Sequence, residues 1–154
     1  MVEMMKFGCV SLLACALALA AYAGSDPFAG TWKLNLAKSK LQSPAPASDS
    51  VRIEVDANNI RIDQEGTNDK GAAFKLAVLG GFDDSFYGVA GCAYFDSVSF
   101  RRTSKSHIVA EVRKSGTVVE WVDAEVSGNV LKVSLTAVDG AGKETKSLAI
   151  LQRE

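Results

Sequence analysis

Beyond its first two dozen residues, the chain places apolar side chains mostly at every second position. Clusters of Gly, Asn, Asp and Ser interrupt this pattern about every ten residues. A period of two turns one face of an extended segment toward a core and the other toward water, so the pattern predicts short antiparallel strands. Trp32, Leu34 and Leu36 share a face of the first strand, and Val51, Ile53 and Val55 share a face of the second. Asn58-Asn59 then turns the chain into Ile60 and Ile62. Further strands carry Phe74, Leu76 and Val78, then Val98 and Phe100, then Ile108, Ala110 and Val112. The segment from Val118 to Val126 has valine on both faces, so parity leaves the direction of Trp121 open. Leu131, Val133 and Leu135 follow, and a last strand ends at Leu148-Ala149-Ile150-Leu151.

This makes about nine strands joined mostly by short turns, which favours an up-and-down antiparallel meander, because parallel neighbours need long crossovers. The exception is Ser43-Pro44-Ala45-Pro46-Ala47-Ser48, a stiff connection that cannot lie inside a sheet. A meander of this size removes its exposed edges by closing into an all-β barrel of roughly eight to ten strands. The alternative is a two-layer sandwich with Greek-key connections.

Residues 1 to 23 stand apart. Lys6 precedes an apolar stretch rich in Leu and Ala, and Ala21-Tyr22-Ala23 supplies the small residues that a signal peptidase reads. The expectation is a secretory signal peptide helix cleaved after Ala23, leaving 154 − 23 = 131 residues for one domain, 24–154. The apolar run is too short to span a bilayer core, which needs about twenty residues, so no stable membrane span is expected after cleavage. Leu12-Leu13-Ala14-Cys15 resembles a lipobox, and lipid anchoring at Cys15 is the lesser alternative because the apolar run continues through Ala21. Cleavage also removes Cys9 and Cys15. Only Cys92 stays, so no internal disulfide can form and stability has to come from apolar burial.

Charge narrows the choice of function. Seventeen Lys and Arg against eighteen Asp and Glu leave a formal charge of -1, without the positive excess that a nucleic-acid backbone requires. One histidine, His107, follows Ser104-Lys105-Ser106 in a turn and reads as a solvated surface imidazole. Asp83, Asp84 and Asp96 do not have the spacing of an EF-hand, and no metal or cofactor is expected. Arg101 and Arg102 point to opposite faces of a strand, so one inward Arg is available to hold a ligand carboxylate. Catalysis is not expected: it would require titratable groups such as Asp96, Arg101, Glu120 and Asp123 to converge.

Phe28-Ala29-Gly30-Thr31-Trp32-Lys33-Leu34 resembles the opening strand of the calycins, the lipocalin and fatty-acid-binding-protein barrels. The continuation Asn35-Leu36-Ala37-Lys38-Ser39-Lys40 is similar to the start of a group of small secreted bacterial lipocalin-like proteins, mostly uncharacterised. Phe82-Asp83-Asp84-Ser85-Phe86-Tyr87, Asp96-Ser97-Val98-Ser99-Phe100-Arg101-Arg102 and Val138-Asp139-Gly140-Ala141-Gly142-Lys143-Glu144 extend the similarity. The resemblance implies a barrel plugged at one end by Trp32. Many lipocalins cover this Trp with a late basic residue, for which Arg153 is the only candidate here. No helix-turn-helix lid is legible between the first two strands.

The functional expectation is an exported, secreted or periplasmic barrel that binds a small apolar or amphipathic ligand, with Trp32, Phe74, Tyr87, Phe100 and Trp121 as candidate ligand-binding residues. Phe82, Phe86, Tyr87, Tyr94 and Phe95, interrupted by glycines, would form either a cavity rim or a cover over one barrel end. The alternative is an interaction or inhibitor module with a filled barrel that meets an unidentified exported protein. An apolar-lined space of roughly 300 Å³ or more favours the carrier, and an interior filled by side chains favours the module.

Overall fold

The computed structural model describes residues 25–154. The expected leader, with its cleavage site after Ala23 and with Cys15, lies outside the described residues. Ten strands follow: β1 (Gly30–Leu34), β2 (Ser48–Val55), β3 (Asn59–Thr67), β4 (Ala73–Gly81), β5 (Phe86–Ala90), β6 (Ser97–Ser104), β7 (His107–Lys114), β8 (Thr117–Ser127), β9 (Val130–Val138) and β10 (Glu144–Arg153). Each pairs antiparallel with its neighbours in sequence, and β1 also pairs with β10, so the sheet closes on itself. The result is a ten-stranded up-and-down barrel of calycin-like form, not a Greek-key sandwich.

The strand that alternation does not reveal is β5. It makes only a short ladder with each neighbour, Ala77↔Ala90 and Val78↔Val89 on one side and Phe86↔Ser99 to Gly88↔Ser97 on the other. Glycine inside the strand and aromatics on both faces hide its period. Elsewhere parity holds. On β2, Val51 and Ile53 face the lumen, while Arg52 and Glu54 pair outside at 2.7 Å.

Register also resolves β8. A bulge between Val112 and Arg113 opposite β8 sets Glu120, Val122, Ala124 and Val126 inward, which turns Trp121 and Asp123 outward. Trp121 is accordingly 43% exposed on the outer wall.

One end of the barrel is closed by the chain's own start. Phe28 and Trp32 are fully buried there, and the indole Nε1 donates to the Phe28 carbonyl at 2.8 Å. Arg153 at the end of β10 lies over the Trp32 ring, 4.2 Å from its centroid, and donates to the carbonyls of Pro27 and Ala29. Arg153, the only late candidate for a basic cover, is thus the residue that lies over Trp32. Gly30 makes it possible: its φ is +134°, and a Cβ there would stand 2.6 Å from Arg153 Nη1. Arg102 is the inward arginine of β6. Its partner is the protein's own Asp26, and its guanidinium lies over the rings of Phe28 and Phe82. It is committed to the plug and is not free to hold a ligand carboxylate.

The opposite end is different. Inward residues are buried near the plug and only half-buried further along the same strands: Ile60 then Ile62 and Gln64 on β3, Val78 then Leu76 on β4, and Leu131 then Val133 and Leu135 on β9. On these strands burial falls away in one direction, so the lumen opens beside the β3–β4 and β9–β10 turns, while Val98 and Val112 at the same end of β6 and β7 stay buried. The proline-bearing connection between β1 and β2 is strapped to β10. Lys40 bridges Leu148, and Gln42 bonds the Ser147 hydroxyl and the Lys146 carbonyl. Among the described residues this connection contains no helix.

Candidate functional site

Inside the barrel lies a cavity of about 340 Å³, reaching from Phe28 at the plug to Leu135 near the mouth. Its wall is built by the inward parity of β2, β3, β4, β6, β7, β8, β9 and β10, with Leu34 of β1, Val89 of β5 and Phe95 of the loop after β5 completing it. Almost all of these side chains are aliphatic or aromatic. The polar ones are Asp49, Gln64 and Glu120.

Asp49 and Gln64 are diagonal neighbours across the β2–β3 ladder, where Asp49 pairs with Gly66 and Gln64 with Val51. Gln64 Nε2 donates to Asp49 Oδ2 at 2.7 Å, whereas Asp49 Oδ1 is buried without a partner. Burial pushes the Asp49 carboxyl up to about 6, with the Gln64 hydrogen bond pulling the other way. Glu120 is also raised, by burial alone, and it has neither hydrogen-bond partner nor counter-ion among the described residues. Among the described residues, no arginine, lysine or histidine lines the cavity.

The five aromatics expected to bind a ligand are not brought together. Phe100 is on the cavity wall. Trp32 sits in the plug beneath Arg153. Phe74 has inward parity on β4, but its ring lies over Gly66 at the start of the hairpin. Tyr87 packs at the edge of the core, and its hydroxyl donates to Asp83 in the turn after β4, at 2.8 and 2.9 Å to the two oxygens. Trp121 is outside because its inward neighbours are Glu120 and Val122. The glycine-rich aromatic segment divides in the same way: Phe95 reaches the lumen, Phe82 packs under Arg102, Phe86 lies under Arg113 on the outer wall, and Tyr94 is 86% exposed. A Cβ on Gly91, whose φ is +83°, would meet the Lys75 carbonyl, so glycine lets this loop lie against the start of β4.

The outer wall bears a shallow groove lined by Phe86, Arg101, Trp121 and Asp123 among others. Beside it His107 is bonded on both ring nitrogens, to Thr103 Oγ1 and, at 2.9 Å, to Asp123 Oδ1. Arg101 pairs with Asp84, and Asp96 accepts from the Ser115 amide. Of the four groups whose convergence catalysis would need, Glu120 alone lines the cavity.

Sequence reasoning missed Asp49 and Gln64. The signal was present: stepping back by two from Val51 puts Asp49 on the inward face, and stepping forward by two from Ile62 does the same for Gln64. No family model matches this chain, and no curated protein matches it either.

Proposed function

We propose that this protein is an exported lipocalin-like carrier, holding one small apolar or amphipathic molecule in its barrel without transforming it. The observation that carries this reading is the cavity: about 340 Å³ of apolar-lined space with an open end, within the range of small-molecule sites. A packed interaction module would have side chains where this space stands. The leader-like residues 1–23 support export, and the Gly30-Thr31-Trp32 opening with its Arg153 cover supports the lipocalin likeness.

Calorimetric titration with 1-decanol, an uncharged apolar probe, tests the reading. The expected result is saturable binding of one molecule per barrel, lost in Ala124→Trp and in Val133→Phe, which fill the lumen while circular dichroism shows the β-barrel retained. Absence of saturable binding, or equal binding by folded, filled variants, would contradict it.

A further inference from the structure

Among the described residues, the lumen is apolar yet holds two carboxyl groups and no basic residue. Asp49 is on β2 and Glu120 on β8; in the barrel order β2-β1-β10-β9-β8 they are four strands apart, so they stand across the lumen from one another. The charged residues on the adjoining strands do not compensate them. Lys33 on β1, Arg61, Asp63 and Glu65 on β3, His107, Glu111 and Arg113 on β7 and Lys132 on β9 alternate onto the outer face, and Lys114, on the inward parity where β7 ends, is exposed. On the outer face Lys33 pairs with Glu154, and Arg113 with Glu111.

Carboxylates in an apolar wall are costly unless a partner neutralises them. A packing role does not explain Asp49, whose Oδ1 is buried with no donor, and Gln64 satisfies only the other oxygen. The free polar atoms at this end of the cavity are acceptors, and an ammonium group offers three donors and no acceptor. It also brings the positive charge that the wall lacks. An anionic head would meet two like charges, and a neutral hydroxyl would satisfy one acceptor without neutralising either group.

We propose that the occupant is an amine: a molecule with an apolar body and a protonated amino group, the body lying against the aliphatic wall and the amino group held at the mouth by Asp49, with Glu120 as the second carboxylate. At about 30 Å³ per water-sized unit, a 340 Å³ cavity takes roughly ten to twelve heavy atoms. This deepens the carrier reading and rests on it.

Decylamine, 1-decanol and decanoate share a chain length and differ in the head group, and calorimetry on the purified protein separates the two ideas. At about pH 7.5, decylamine is expected to bind roughly tenfold or more tightly than 1-decanol, with decanoate weakest. In Asp49→Asn and Glu120→Gln the preference of amine over alcohol should shrink several-fold while 1-decanol affinity holds, a ratio that a merely structural role would not move. In the wild-type protein the preference should fall as the pH drops to about 5, because Asp49 takes up a proton at about 6 whereas an alkylamine stays charged. Binding of 1-decanol as tight as that of decylamine, or a ratio unchanged by both substitutions and by pH, would overturn the amine assignment and leave the carrier standing. Binding of none of the three would bring down both.

Discussion

The guanidinium of Arg153, at the end of the last strand, covers the indole of Trp32 in the first at 4.2 Å, and the same group donates to the carbonyls of Pro27 and Ala29. One side chain thereby joins the two strands whose pairing closes the barrel and clasps the segment that plugs it. Arg153→Lys removes the fork that reaches both carbonyls. It is expected to lower stability by about 1–2 kcal/mol, read from the midpoint of urea unfolding, and Arg153→Ala by somewhat more. Equal midpoints would mean that the clasp contributes nothing.

Gly30→Ala should be as damaging as losing the arginine. The added Cβ meets Arg153 Nη1 at 2.6 Å on a backbone at φ +134°, for an expected loss of about 1–3 kcal/mol. In the Arg153→Ala background the clash is absent and only the backbone strain remains, so the double variant should lose less than the sum of the two singles. Strict additivity would contradict the geometry.

The two tryptophans report opposite environments. Trp32 is fully buried and Trp121 is 43% exposed on the outer wall. Iodide quenching of the wild-type protein should show an accessible and an inaccessible component, and Trp121→Phe should remove the accessible one while leaving stability within about 0.5 kcal/mol and 1-decanol binding unchanged. Loss of binding in that variant would put Trp121 in the ligand site after all.

Asp49 gives a pH signature with a definite sign. Its carboxyl is raised from 3.8 to about 6 in the folded barrel, so between those values the folded state holds a proton that the unfolded chain has lost. The contribution is present in full below about 4 and is lost as the pH rises through about 6. Asp49→Asn, which carries no charge to bury, should therefore be more stable than wild type at neutral pH by about 1–2 kcal/mol, after allowing for water at the mouth, and the gap should close toward pH 4. Urea midpoints across that range check it; a gap that does not vary with pH would refute it.

Much of the fold was legible because alternation and burial coincide on most strands. Ile53, Val78, Phe100, Ile108 and Leu131 all fall on the inward face that their spacing implied. It failed where the period was masked. Phe86 to Ala90 were hidden by glycine and by aromatics on both faces, and β8 was ambiguous because Val118, Val119 and Val122 populate both parities across a bulge. The site was less legible for a different reason. Aromatic residues were the natural candidates, but in this barrel most of them close an end or lie outside, and the lumen is mainly aliphatic. Asp49 stands between the proline-bearing connection that ends at Ser48 and the first apolar residue of the strand, Val51, with serines on both sides. Parity counted back from Val51 puts it on the inward face once the strand is known to begin at Ser48.

Native mass spectrometry of the protein purified from its own host addresses the hollow barrel most directly. The expected spectrum contains barrels carrying one small molecule each, released by collisional activation, with an odd nitrogen count in its exact mass if the bound species has a single amino group. Bare chains throughout, together with no uptake of 1-decanol or decylamine added to the same preparation, would contradict the account.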